Sequence, residues 1–102
     1  MQFLDIDASE WRSVDDFYEA LLRVIGAPEG HGAGPDAFVD SMVWGGMNAV
    51  EPPYTVRISG AEKLPASIES AISDVINALR RGRSWRRDNR GSDVDVNVEL
   101  VP

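Results

Sequence analysis

Two carboxylates four residues apart, Asp36 and Asp40, follow a glycine-rich turn in the stretch PEGHGAGPDAFVD, residues 28–40. A glycine-rich turn leading into a helix ordinarily cradles an anion, because the first N–H groups of the helix are unpaired and point outward. Here the helix brings its own anions instead. Acid–base chemistry needs two carboxyl groups facing each other across a cleft. Two acids on one helical face do not provide that. Asp36, Asp40 and Glu29 could be read as a cation site, but the closely spaced oxygen ligands of a calcium loop are missing. There is no cysteine and a single histidine, His31, so no metal site is expected. GHGAG lacks the Lys-Ser/Thr ending of a P-loop, and no serine lies in a nucleophile motif that His31 could serve. No catalytic residue and no cofactor is expected, and the chain does not read as an enzyme.

What remains is that the acids are themselves the ligand. Asp36 alone is explained by the helix dipole, worth about 0.3–1 kcal/mol for an acid in the first turn. Asp40 is not, since it repels Asp36 across one turn. Arginine clamps take carboxylate and phosphate alike, so such a pair could occupy a basic cleft built for phosphates. The net charge of −7 favours a basic protein partner and repels nucleic acid.

The other chemically loaded stretch is RRGRSWRRDNR, residues 80–90, with six arginines and Trp85. Arg83, Trp85, Arg86, Arg87 and Arg90 could grip a phosphate backbone and stack on a base. This gives a competing reading as a nucleic-acid-binding or regulatory module. The overall acidity and the lack of a second basic cluster weigh against it.

These residues must be held by a small domain. A length of 102 residues with 43% hydrophobic and 26% charged residues suits one globular core, so residues 1–102 are expected to form a single domain. No run is long enough to span a membrane. The first residues read as a strand rather than an export signal, which makes the cytoplasm the expected compartment. FLDID alternates as a strand. SVDDFYEALLRVIG reads as a helix, with Ser13 and Asp16 as a capping-box variant and Phe17, Leu21, Val24 and Ile25 as its inner stripe. A second helix starts at Pro35 and ends near Gly45–Gly46, with Ala37, Phe38, Ser41, Met42 and Gly45 on one face and Asp36, Asp40 and Trp44 on another. Trp44, a large residue at helical spacing, is expected in the core; if exposed, it would flank the acids. YTVRIS and DVDVNVEL are strands. Between them lies a helix with Ile68, Ile72, Val75, Ile76 and Leu79 inward, ending at Gly82, and then an irregular loop over 82–92. Strands separated by helices imply parallel pairing through right-handed crossovers. The expected fold is α/β: a two-layer, three-stranded parallel sheet of order 1-2-3, with helices mainly on one face.

The stretch 28–40, the strand–helix order and the length together resemble the barstar family of intracellular ribonuclease inhibitors. That family's pattern is a helix end, Pro-Glu, an aromatic pair, a glycine turn and a helix reading Asp-Ala-apolar-aromatic-Asp. Pro28, Glu29, Gly32, Asp36, Ala37, Phe38 and Asp40 fit it in place. The resemblance implies a barstar-like fold. It also implies an inhibitor or immunity-type protein that blocks the basic active site of a ribonuclease or related toxin, with Asp40 as the central phosphate mimic and Asp36 its partner. The implied partner-binding set is Glu29, Gly30, His31, Asp36, Val39, Asp40, Trp44 and Asn77. Gly30 and His31 replace the aromatic pair, Val39 replaces an aromatic, and Asn77 replaces an acid. His31 is expected to be solvated in its turn, though able to stack in a cleft. A non-inhibitory interaction domain of the same fold is the further alternative. Oligomeric state is left open by the sequence.

Overall fold

The computed structural model describes residues 1–102. The elements run β1 (Gln2–Asp7), α1 (Val14–Val24), α2 (Pro35–Phe38) leading directly into a π-helical segment (Val39–Val43), β2 (Tyr54–Ser59), α3 (Ala66–Arg90) and β3 (Val96–Leu100). The sheet has the order β1-β2-β3 and both pairings are parallel. Leu4, Val56 and Val98 lie in register across it, as do Ile6, Ile58 and Leu100. The fold is the α/β arrangement that the alternation of strands and helices dictates.

The alternating strands give the sheet one covered face and one wet face. Tyr54, Val56 and Ile58 of β2 are buried beneath the helices, together with Phe17, Leu21 and Ile25 of α1 and Ile68, Ile72, Val75 and Leu79 of α3. Burial pushes the Tyr54 hydroxyl up to about 12, since the phenolate would lose its hydration. On the opposite face the Arg57 guanidinium grips Asp5 through bonds of 2.7 and 3.0 Å and lies 4.3 Å over the exposed Phe3 ring. α1 starts as its sequence dictates. The Ser13 hydroxyl accepts from the Asp16 N–H, and the Asp16 carboxylate accepts from the Ser13 N–H. No helix is long and apolar enough to cross a membrane.

Two stretches depart from the sequence reading. Residues 82–90 are not an irregular loop, because α3 runs on through Gly82 to Arg90 and is closed by Gly91 at φ 68°. Gly82 is a contact glycine rather than a stop. A Cβ placed there would meet Val39 Cγ1 at 2.8 Å and Val43 Cγ2 at 3.4 Å. The second departure is the winding after Phe38. Over Val39–Val43 the turn is widened to the i→i+5 type. Val43, five residues after Phe38, is therefore brought inward beside Ser41 and Met42, and Gly45 is left exposed. A 3.6-residue period cannot predict that face.

Candidate functional site

The acidic ridge is built by a short helix with little intrinsic stability of its own. Gly34, at φ 122°, supplies its start without a capping side chain, and Pro35 follows in the first turn. Phe38, Met42 and Val43 anchor it in the core. Asp36 and Asp40 are left exposed. Neither makes a salt bridge or a side-chain hydrogen bond, whereas Asp5, Asp16 and Asp93 are all engaged. Three fastenings hold this ridge still. At its front, His31 lies against the Gly32 carbonyl through Nδ1 and 2.7 Å from the Ser41 hydroxyl through Nε2. The carbonyl requires a proton on Nδ1, and in the neutral ring Nε2 then accepts from Ser41 Oγ–H. At its end, Arg86 of α3 donates to the Val43 carbonyl, satisfying an acceptor that the helix terminus leaves open. Along its flank, Gly82 admits Val39 and Val43.

A ridge with two unpaired acids, on a parallel three-stranded sheet of order 1-2-3, is the arrangement to which the chain as a whole can be compared. The family model described as Barstar (barnase inhibitor) matches residues 1–99. The chain belongs to the barstar family. None of the curated proteins compared with it matches.

Within this barstar-family fold the remaining residues of the expected partner-binding set fall into distinct places. Glu29 and Gly30 are exposed at the turn, with Gly30 at φ 84°, a backbone conformation that suits glycine alone. His31 is not a solvated loop side chain. It is half-buried, both ring nitrogens are used, and its ring lies tilted against Phe38 with centroids 5.8 Å apart. It fastens the turn to the ridge. Val39, in the position of an aromatic, turns its methyl groups toward Gly82 and is half-buried rather than free. Asn77 is exposed on α3. Trp44 is not in the core. It is 43% exposed, because the π segment ends one residue earlier and the core contacts are taken by Met42 and Val43.

The arginine run is helical and partly engaged within the fold. Arg83 donates to both oxygens of Asp93, at 3.1 and 2.9 Å, and to the Asn97 side chain at 2.6 Å, tying α3 to the approach to β3. These bonds hold the Asp93 carboxyl well below the usual carboxylate range and raise the Arg83 guanidinium further. Arg87 also reaches Asp93, at 3.3 Å. Arg86 is spent on Val43 and lies 5.5 Å over the Trp44 ring. Of the five residues in the nucleic-acid reading, only Trp85 and Arg90 remain unengaged by polar partners through their side chains. The sequence offered no sign of the Arg86–Val43 and His31–Ser41 fastenings. Each joins residues whose meeting depends on how two separate segments pack.

Proposed function

We propose that this barstar-family chain is an inhibitor or immunity-type protein that closes the basic active site of a ribonuclease or related toxin, with Asp36 and Asp40 standing where substrate phosphates would. One observation carries the reading. Both carboxylates are exposed, make no salt bridge or side-chain hydrogen bond, and stand four residues apart on a ridge that Phe38 and Met42 anchor in the core. A carboxylate already locked to an arginine would have to break that pair before binding. A free one on a fixed support loses little freedom on docking, so more of the interaction appears as affinity. Charge-assisted, two-pronged contact with arginine or lysine then supplies strength and register. The reading implies a cytoplasmic protein, since cytoplasmic RNA is what an active ribonuclease would destroy.

Direct grip on nucleic acid through residues 80–90 is weakened, because Arg83, Arg86 and Arg87 are committed to acceptors within the fold. The test is RNA cleavage by a panel of purified basic ribonucleases, barnase among them, with added wild-type protein, Asp36→Ala or Asp40→Ala. Stoichiometric inhibition of at least one enzyme is expected. Asp40→Ala should weaken it at least about thirtyfold, corresponding to the 2 kcal/mol that marks a hot spot, a scale to which inhibitors of this same family contributed. No inhibition across the panel would contradict the reading and leave the fold as a non-inhibitory interaction domain. Inhibition indifferent to Asp40→Ala would equally contradict it.

A further inference from the structure

An exposed tryptophan by itself means little, since single apolar side chains are common on protein surfaces. Two that touch while remaining open to water are another matter. Trp44 and Trp85 meet edge-to-face with ring centroids 5.8 Å apart and planes at 70°, yet they stay 43% and 51% exposed. They come from different elements, one ending the acidic ridge and the other lying in the last turns of α3. Their rotamers are braced from behind. Arg86 lies over Trp44 while its guanidinium donates to the Val43 carbonyl, and Gly82 brings α3 close enough for the rings to meet. A braced aromatic pair loses little freedom on binding, and tryptophan is the side chain most enriched among residues that dominate interfaces. Polar neighbours, Arg81 and Asp88, lie a turn to either side of Trp85 and would form a rim.

We propose that Trp44 and Trp85 are the apolar anchor of the partner-binding surface, so that the interface runs off the acidic ridge and onto the last two turns of α3. The occupant is the same basic protein that receives Asp36 and Asp40, and it presents an apolar patch immediately beside its cationic cleft. The proposal rests on the inhibitor reading above. Two observations choose this occupant. Trp44 follows Asp40 by four residues, and both are exposed at the end of the same ridge. And Asp36 and Asp40, on the ridge that Trp44 ends, are free of internal cations, which complements a basic protein. The anchor also fills a gap in the site, since Gly30 and Val39 place no ring where the family pattern has aromatics.

The experiment takes the full chain with a fluorine label on its three tryptophans, Trp11, Trp44 and Trp85, and the same ribonuclease panel. Fluorine resonances are followed on adding each nuclease. Inhibition constants are measured for Trp44→Ala, Trp85→Ala, the double variant and Asp40→Ala, with thermal melts confirming that each variant is folded. The proposal predicts that the Trp44 and Trp85 resonances shift on complex formation while that of Trp11 does not. Each single tryptophan variant should weaken inhibition at least about tenfold. Asp40→Ala that abolishes inhibition, with both tryptophan variants within about twofold of wild type, would overturn this extension and leave the inhibitor reading standing. Inhibition by no panel member, or no effect of Asp40→Ala, would bring down both together. Retention of poly(U) that depends on Trp85 and not on Asp40 would assign the rings to base stacking and overturn the proposal.

Discussion

At the scale of single residues, the molecule separates its acids into two kinds. Asp5, Asp16 and Asp93 hold structure together, while Asp36 and Asp40 hold nothing. The distinction has a consequence in acid. Asp93 is kept below its ordinary 3.8 by the side-chain hydrogen bonds from Arg83. A group whose folded value is depressed contributes stability that is fully present above its unfolded value and is lost as pH falls toward the folded one. Asp93→Asn should therefore lower the urea midpoint at pH 7, with the gap to wild type narrowing below about pH 4. Parallel urea titrations at pH 7, 4 and 2.5 would check this. A gap that stays constant down to pH 2.5 would mean that the Arg83–Asp93 pair does not tie α3 to β3. The sequence made the two acids legible as a pair, because their spacing puts them on one helical face. It did not make their freedom legible. Whether an acid meets an arginine depends on which of ten basic residues the fold brings near.

At the scale of elements, legibility tracks how local the deciding contact is. The start of α1 and the span of β2 follow from signals within a few residues: the Ser13–Asp16 box, and the alternation of Tyr54, Val56 and Ile58. The last turns of α3 do not. Gly82 followed by a run of arginines reads as a helix stop and a loop. In the fold, Gly82 is kept small by Val39, forty-three residues earlier, and the helix continues because Trp85 and Arg86 find partners on the ridge. The π segment was hidden too, since it packs against α3, a segment remote in sequence. This interlock can be measured. Gly82→Ala gains about 1 kcal/mol of helix propensity, but its methyl group would stand 2.8 Å from a Val39 methyl, and overpacking costs about 1–3 kcal/mol. Valine is stiff and yields poorly. Gly82→Ala should destabilise the wild type by about 1 kcal/mol and stabilise the Val39→Ala background by a similar amount. Urea denaturation of the four proteins in a double-mutant cycle gives the answer. Equal effects in both backgrounds would show that the glycine does not seat the ridge.

At the scale of the whole molecule, the charge map gives the fold its direction. A net charge of −7 coexists with six arginines in eleven residues, and half of those arginines are drawn into contacts that lock α3 to β3 and to the ridge. Half of the basic run thus works inward, while Asp36 and Asp40 face outward. A negative field of this kind hastens encounter with a basic partner and is screened by salt. The central claim is narrower: Asp36 and Asp40 take the place of phosphate. The most direct measurement is the affinity of the wild-type protein for an inhibited ribonuclease titrated with inorganic phosphate or a mononucleotide, with ionic strength held constant by sodium chloride. The apparent Kd should rise in step with occupancy of the nuclease phosphate site, as for two ligands that exclude each other. An affinity unchanged on a nuclease saturated with mononucleotide would mean that both bind at once, and that the acids sit elsewhere.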